Sequence, residues 1–370
     1  MKTKAVVIIL LTSFLFSWTI SRSQDTYYSQ FFNNPSYINP AFTGINTGAR
    51  VRFAFRNLWP KLPVSYKSYF FAADIGDRGL PGAGGVGLYV NSANDGVAFI
   101  HDLTAGINVS VRVPFSELVE SQVGMKVGFG QRSVSWQDFI FQDQLDLVYG
   151  IKPNYTPLFI APLESKKVFP DFGAGGLLLF ANSNQGGLTG TVGFAVDHMF
   201  QPDISFFSNG ESVLSRKIIL HGEVIFTGSS ASNGGINDET LKLNPGFLYQ
   251  TQAGLSTLQL GMNILKFNLV LGAWYKTALK VGPTSSMVLL AGYKYTFNES
   301  SSIKFAYSYD LQITNSLSST GGAHEISLIL EFGNAGLTGR NQTPSFSRGV
   351  GRASAPNGRK IGVLECSPFF

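Results

Sequence analysis

The segment that decides the fold is Ser256–Leu265, which reads STLQLGMNIL. In an extended chain, Leu258, Leu260 and Met262 fall on one side and Gln259 falls on the other. A period of two residues predicts a β-strand with one apolar and one polar face. A membrane-spanning strand needs about 9–11 residues, and this segment has that length.

The same alternation recurs on both sides of this segment, in runs of about ten residues separated by clusters of Gly, Asn, Ser, Asp and Pro. The remaining runs are Arg50–Arg56, Tyr66–Ile75, Gly85–Ser92, Phe99–Val113, Gln122–Val134, Asp171–Ala181, Leu188–His198, Ser215–Thr227, Leu241–Thr251, Asn268–Ala278, Ser286–Phe297, Ser302–Gln312 and His324–Phe332. No apolar stretch of helix-spanning length interrupts them. The series predicts an all-β fold, an antiparallel transmembrane β-barrel of about 14 strands.

Composition favours a membrane barrel over a soluble β-protein. Charged residues make up 14% of the chain, whereas soluble domains have about 25%. The alternatives are a soluble β-sandwich and a propeller, but no fixed repeat supports a propeller, and low charge disfavours a sandwich. The formal net charge of +5 comes mostly from basic residues near the two ends of the chain. It therefore does not indicate nucleic-acid binding.

The chain divides into four predicted parts. Residues 1–23 have the basic start, the apolar run and the small cleavage-site residues of a secretory signal peptide, with cleavage before Gln24. Residues 24–49 are rich in aromatic residues, Asn and Pro and lack a period, which predicts an ordered, mostly non-strand lead-in. Residues 50–333 are the predicted barrel. Residues 334–370 are a basic tail rich in Gly, Pro and Ser.

The orientation in the membrane follows from the strand count and the loop lengths. An even number of strands returns both ends of the barrel to the periplasm, so the tail is predicted to be periplasmic and mobile. The long connections 135–170, 199–214 and 313–323 then face outward, and the inward turns include the short ones near Phe115–Glu120, Leu265–Asn268 and Asn298–Ser301. The connection 228–240 is an exception, because it is long and inward.

Residues that would carry chemistry are sparse. The four histidines are far apart, and none has a metal-ligating neighbour at helical spacing; they are His101, His198, His221 and His324. No G-x-S-x-G motif occurs. Residues 82–87 fit G-x-G-x-x-G, but a strand-like run follows where a phosphate-binding helix is needed. The sequence predicts no catalytic residue, no cofactor and no metal, so a barrel enzyme is the weakest hypothesis.

Charged residues of both signs fall on the inward side of the predicted strands. They are Arg50, Arg52, Arg56, Asp74, Lys126, Asp197, Lys294, Asp310, Glu325 and Glu331. One interpretation is a hydrated, ion-paired lumen, which any such barrel would have. The other is a charged seat for a plug or a passenger. The sequence alone favours the hydrated lumen.

Several short motifs occur in a recognisable order. They are YYSQF at Tyr27–Phe31, NPAFTG at Asn39–Gly44, RNLWP at Arg56–Pro60, FPDFGAGGL at Phe169–Leu177 and HEISL at His324–Leu328. The set resembles the PorP/SprF family of Bacteroidetes outer-membrane proteins, which is tied to the type IX secretion system and to gliding motility. The resemblance covers nearly all of the chain beyond the predicted signal peptide.

The resemblance implies a protein of the outer membrane without enzymatic activity. It implies work with components of the type IX secretion machinery in the periplasm and the outer membrane, and with a large secreted surface protein. The terminal Cys366–Phe370 is similar to the short cysteine-containing tails of many members, but it carries an inserted Ser and an extra Phe.

Candidate partner contacts come from these motifs and from the basic tail. They are Asn39, Pro40, Phe42, Arg56, Trp59, Arg352, Arg359 and Lys360. Pro40 fixes a bend, and Arg56 and Trp59 are expected to pair a charge with an aromatic ring at the barrel rim. A purely structural role is the alternative for the motif residues, and an inert end is the alternative for the tail.

Two functions remain open. The leading hypothesis is a non-enzymatic outer-membrane barrel of the type IX secretion and gliding system that helps to export or anchor a surface protein. The alternative is a passive outer-membrane channel for hydrophobic solutes with an N-terminal hatch. The gene neighbours separate the two hypotheses, since a very large secreted protein encoded nearby favours the first.

Overall fold

Fourteen antiparallel strands close into a barrel in the computed structural model of this protein. The structure describes residues 25–46, 48–76, 83–96, 99–116, 118–146, 150–152, 156–162, 164–182, 188–207, 212–227, 241–279, 285–298, 301–313 and 320–333. The predicted signal peptide and the predicted tail lie outside these ranges. Within them, no helix is both long enough and apolar enough to cross a membrane.

The strands follow the predicted segments closely. The barrel strands are β1 Gly48–Leu58, β2 Tyr66–Gly76, β3 Ala83–Asp95, β4 Ile100–Pro114, β5 Val119–Val134, β8 Lys166–Ala181, β9 Leu188–Asp197, β10 Lys217–Thr227, β11 Lys242–Gln252, β12 Leu255–Lys266, β13 Leu269–Ala278, β14 Ser285–Asn298, β15 Ser301–Gln312 and β16 Ala323–Phe332. Chain neighbours pair in order, and β5 pairs directly with β8. The pairing of β1 with β16 closes the barrel, with Ala49 opposite Phe332. The predicted barrel is therefore confirmed.

The predicted loop between β5 and β8 contains some regular structure. It has 3₁₀ turns at Trp136–Asp138 and Gln142–Gln144 and a separate two-stranded sheet, β6 Leu145–Asp146 with β7 Gly150–Ile151. β8 begins at Lys166, five residues before the predicted start.

The sequence predicted a loop for the first residues of β8 because this part contains Pro170. Pro170 pairs with Phe129 of β5, whereas the pairing of β8 with β9 starts only at Ala174. This part of β8 therefore has a ladder on one side only. A strand tolerates proline at such an edge, because no partner there needs the missing N–H.

The two faces of the barrel wall have the predicted polarity. On β12, the side chain of Leu260 is 46% exposed on the outside, while Gln259 is fully buried on the inside. Apolar residues exposed on the outside are spread over the other strands, as a lipid-facing surface requires. The predicted strand phase of Ser256–Leu265 is confirmed.

The barrel has two distinct ends. The base is the end at which β1 begins and β16 ends, and the mouth is the opposite end. Two of the shortest turns, between β12 and β13 and between β14 and β15, lie at the base, and a third, between β11 and β12, lies at the mouth. The two longest connections, between β5 and β8 and between β9 and β10, lie at the mouth.

The lead-in forms the core of the molecule inside the barrel. It contains one turn of α-helix, α1 Pro35–Ile38, and a 3₁₀ turn, Pro40–Phe42. Prolines begin both turns, where a missing N–H costs no hydrogen bond. The largest apolar cluster joins lead-in aromatics to lumen-facing side chains such as Trp274 and Leu248. The interior is thus filled by the chain's own N-terminal segment.

Candidate functional site

The candidate site is the lumen together with the segment that fills it, residues 25–46, called the plug below. Most plug residues are buried, and charged residues of the wall bind them at several levels between base and mouth. The charged lumen residues were predicted correctly, but the favoured interpretation, a hydrated lumen, is wrong along the course of the plug. The structure shows the other interpretation, a charged seat for a plug.

Near the mouth, Arg56 of β1 holds two carboxylates. Its guanidinium lies 2.7 Å from Asp310 and 2.8 Å from Glu325, and all three side chains are almost fully buried. The backbone N–H groups of Ser29 and Gln30 donate to Glu325 at 2.7 and 3.0 Å. Because each buried charge has both an ionic partner and hydrogen bonds, this cluster fixes the plug without leaving an unpaired charge.

Near the base, a second buried cluster holds the other end of the plug. Asp74 of β2 pairs with Arg50 at 3.1 Å and also with Arg52. The same carboxylate accepts the backbone N–H of Gly44 at 2.9 Å. Two cations thus flank one carboxylate, which also accepts a hydrogen bond from the plug backbone.

In the middle of the lumen, the side chain of Asn39 links the plug to three strands. Its amide nitrogen lies 3.1 Å from the carbonyl oxygen of Gly176, 3.3 Å from that of Phe194 and 3.1 Å from Nε2 of His221. The Asn39 side-chain oxygen accepts the N–H of Ala41 at 3.0 Å, which caps the 3₁₀ turn. Asn39 therefore shapes the plug and binds the wall at once.

Aromatic packing supplements these polar contacts. The ring of Phe31 contacts the indole of Trp274 edge-on, with 5.1 Å between the ring centroids. The ring of Phe32 stacks on the same indole, with 5.4 Å between the centroids. Phe42 lies 5.2 Å from the ring of His221. The indole N–H of Trp274 donates to Asn263 at 2.9 Å, so this large side chain is fixed on its polar edge too.

At the mouth, His198 stands between two carboxylates. Its Nδ1 lies 2.7 Å from Asp171, and its Nε2 lies 2.7 Å from Asp25 of the plug. Lys217 approaches Asp25 at 3.8 Å. Burial lowers the pKa of His198, but the two carboxylates outweigh burial and raise it to about 10. Burial raises the pKa of Asp25, yet His198 and Lys217 outweigh it and leave that pKa well below its ordinary value.

The raised pKa of His198 predicts a pH dependence of stability. A group whose pKa is raised by folding stabilises fully below its ordinary pKa of about 6.5 and loses that effect as pH rises through about 10. Urea unfolding of detergent-solubilised barrel is therefore expected to become easier between pH 6.5 and pH 10.

The variant His198→Gln isolates this contribution from lysines that titrate in the same range. It should be less stable than the wild type at pH 6.5 and should lose less stability on going to pH 10. His101→Gln is the matched control, since His101 contacts Ser92 rather than a carboxylate. An unchanged pH profile in His198→Gln would contradict the charged-imidazolium interpretation.

Glycines on the wall let the plug approach the strands closely. A Cβ at Gly124 would lie 2.5 Å from the carbonyl carbon of Pro40 and closer still to the nitrogen of Ala41. A Cβ at Gly176, on the neighbouring strand, would find its nearest atom 4.0 Å away. An added methyl group would therefore meet the plug at Gly124 but not at Gly176, whose carbonyl oxygen still accepts from Asn39.

We expect Gly124→Ala to displace the plug and to cost about 1–3 kcal/mol, because its methyl group meets plug backbone. Gly176→Ala should be nearly neutral. Conductance in planar bilayers is the more specific readout: Gly124→Ala should show more frequent open events than wild type and Gly176→Ala. Equal conductance and stability of the two variants would mean that the close approach does not hold the plug.

The predicted partner contacts are distributed unevenly. Asn39, Pro40, Phe42 and Arg56 are buried in the lumen, where the contacts described above join them to other parts of this chain. Their role toward a partner stays a prediction, and the structural role is the one that these contacts support.

The other predicted contacts fall at the rim or outside the described residues. Trp59 is 39% exposed at the mouth and has a left-handed φ of 58°. The guanidinium of Arg56 is engaged by two carboxylates, which leaves its predicted pairing with Trp59 unsupported. Arg352, Arg359 and Lys360 lie outside the described ranges.

Sequence reasoning missed Asp25, Ser29, Gln30 and Gly124 as site residues. The available signals were the YYSQF motif, which contains Ser29 and Gln30, and the density of Asn, Pro and aromatic residues without a period in the lead-in. Over the ranges that the structure describes, no group of three or more His, Cys, Asp or Glu side chains is arranged to hold a metal ion.

A family model described as "Type IX secretion system membrane protein PorP/SprF" matches residues 20–330. Comparison with curated proteins gave no match.

Similar solved structures include the CymD monoaromatic hydrocarbon channel, at 11% identity and TM-score 0.44, covering 83% of this chain and 92% of that one. The P. putida toluene transporter TodX has 10% identity and TM-score 0.40, covering 84% and 95%. The Acinetobacter baumannii outer membrane protein Omp33 has 8% identity and TM-score 0.36, covering 78% and 99%.

Proposed function

The chain belongs to the PorP/SprF family of type IX secretion system membrane proteins, and from this premise we propose that it helps to export or anchor a surface protein without enzymatic activity. It is an outer-membrane β-barrel, and its family ties it to the secretion machinery. We propose further that the protein comes from a member of the Bacteroidetes, serves one particular surface protein and is linked to gliding motility.

The observation that carries this proposal is the plugged lumen. Buried, ion-paired carboxylates of the wall accept backbone N–H groups of the plug near the base and near the mouth, and Asn39 binds the wall between them. A barrel built in this way is suited to act through its two ends, as a scaffold between periplasmic machinery and a surface protein. No step in such a role needs a solute to pass through the lumen.

The alternative is a passive channel for hydrophobic solutes. It requires the plug to leave its seat, and this breaks contacts to buried charges such as Asp74 and Glu325. Both carboxylates keep their arginine partners when the plug leaves, but they lose the hydrogen bonds that the plug backbone donates to them. A hydrogen bond to a charged group is worth about 1.5–3 kcal/mol. We therefore favour the scaffold role, and low wild-type conductance in planar bilayers is its expected signature.

The mouth offers exposed aromatic surface to a partner from outside the cell. The ring centroid of Trp136 lies 5.9 Å from that of Phe159 and 6.4 Å from that of Phe207. Phe159 lies in the connection between β5 and β8, and Phe207 lies in the connection between β9 and β10. Phe207 and Ile160 are more than half exposed. We propose that the exported protein meets these loops. We propose further that periplasmic machinery meets the base and the tail, including Arg352 and Lys360.

The test is a gene deletion complemented with defined variants, followed by mass spectrometry of secreted and cell-surface proteins. Loss of one or a few surface proteins, with general type IX secretion intact, is the expected result. An unchanged set of surface proteins would reject the function.

Truncation after Gly333 tests the periplasmic half of the proposal. Because the pairing of β1 with β16 already closes the barrel, the truncated chain should insert normally and keep its heat-modifiable migration. Co-purification of periplasmic machinery and display of the passenger should fall. Full recovery of both with the truncated chain would exclude the tail as a docking segment.

A further inference from the structure

We infer that the N-terminal end of the plug, at Asp25, is presented at the outer surface of the cell through the lumen of its own barrel. The first strand begins and the last strand ends at the base, so the chain before β1 would be expected to lie in the periplasm. The contacts of the plug show a different course.

The C-terminal part of the plug lies close to the base. Gly44 binds Asp74 at 2.9 Å, two residues before the base end of β2. The carbonyl oxygen of Thr43 accepts from Ser110 at 2.6 Å and from the side chain of Gln122 at 2.9 Å, near the base ends of β4 and β5. The chain enters the lumen here, directly before β1.

The N-terminal part of the plug lies at the mouth. The backbone N–H of Asp25 donates to Gln252 at 3.0 Å, and Gln252 is the last residue of β11. The carboxylate of Asp25 contacts His198, which directly follows β9. Thr26 bonds the hydroxyl of Tyr66, the first residue of β2, at 2.8 Å. Residues 25–46 therefore run the whole length of the barrel.

The mouth is the end that faces outward. Outer-membrane barrels place short turns in the periplasm and longer loops outside. Here the two longest connections, from β5 to β8 and from β9 to β10, are at the mouth, and two of the three shortest turns, from β12 to β13 and from β14 to β15, are at the base. The short turn from β11 to β12 at the mouth and the long connection from β10 to β11 at the base are exceptions to this asymmetry. A plug that starts at the mouth thus starts at the cell surface.

Asp25 is also reachable from that side. Its side chain is 21% exposed, and it lines a cavity at the mouth together with Tyr37, Asp102 and Arg132. A partner that arrives from outside meets the charged end of the plug beside the aromatic loops. This consequence for partners rests on the proposed function, whereas the topology itself does not.

The test uses the full chain in intact cells. A short epitope is inserted between Gln24 and Asp25, which preserves the predicted cleavage site, and antibody is added before and after the outer membrane is permeabilised. Two controls carry the same epitope, one between Asn209 and Gly210 in the connection at the mouth, and one after Phe370. Heat-modifiable migration confirms that each variant has folded.

The inference expects the epitope before Asp25 to bind antibody on intact cells, as the mouth control does, while the epitope after Phe370 binds only after permeabilisation. Binding before Asp25 only after permeabilisation overturns the inference, and so does binding only after denaturation. If the insertion blocks folding, Gln24→Cys in a Cys366→Ser background replaces it, with a membrane-impermeant maleimide and the same criteria. Labelling requires no passenger protein, so a negative result here rejects the topology without rejecting the proposed function, and a negative secretion test does the reverse.

Discussion

Replacing Arg56 with alanine is expected to lower the free energy of unfolding by about 3–5 kcal/mol. Arg56 lies between Asp310 and Glu325, and both carboxylates are almost fully buried. Lys276 lies 2.9 Å from Asp310 and is expected to keep this pair in the variant, so the uncompensated charge should fall mainly on Glu325. Urea unfolding of the barrel in detergent or lipid measures the loss.

Two further variants show whether the loss comes from the buried charge. Lys167→Ala breaks the pair of Lys167 with Asp203, which is largely exposed, and should cost less than about 1 kcal/mol. Combining Arg56→Met with Glu325→Gln removes both a cation and an anion, and it should recover part of the loss. A cost for Arg56→Ala no larger than that for Lys167→Ala would mean that the cluster does not hold the barrel and plug together.

The strands were predictable because their signal is local. A strand shows its period within about ten residues, as Ser256–Leu265 does, and its neighbours in this barrel are mostly its neighbours in the chain. The start of β8 was missed for a reason that is not local. Whether Pro170 can sit in a strand depends on how far β9 extends beside it, and the sequence of β8 does not contain that information.

The lead-in was predicted as an ordered segment, and a plug or hatch entered only as an alternative, because the contacts of this segment span nearly the whole chain. Ser29 binds Glu325, 296 residues away, and Asp25 binds His198, 173 residues away. Alternation showed that Arg56 and Glu325 face the lumen. The alternation did not show whether water or the plug backbone forms hydrogen bonds with these charged side chains, since either one satisfies them.

The same limit explains the histidines. The wide spacing of the histidines in the sequence gave no hint that His198 and His221 contact the plug. A histidine between two carboxylates is recognisable only after distant segments are brought together. Asn39 belongs to the NPAFTG motif, and its contacts with Gly176 and His221 show that this motif binds the plug to the barrel wall.

The outer face of the wall supports the other large prediction. Leu260 lies in the middle of β12 and points outward. Arginine at this position puts a charge into the centre of the hydrocarbon layer, which costs about 2–4 kcal/mol in a membrane barrel. Reversible unfolding from lipid vesicles is the appropriate measurement for Leu260→Arg.

The control for Leu260→Arg must share its face and differ in depth. Gln259 is unsuitable, because it is fully buried and donates to the carbonyl oxygen of Ser29 at 2.9 Å, so a larger side chain there would disturb the plug. Leu269 is suitable: it is 47% exposed on the outside and begins β13 at the base. Near the membrane interface an arginine costs only about 0–1 kcal/mol. Leu260→Arg should therefore be clearly more harmful than Leu269→Arg, and equal costs would show that β12 does not cross the hydrocarbon layer at Leu260.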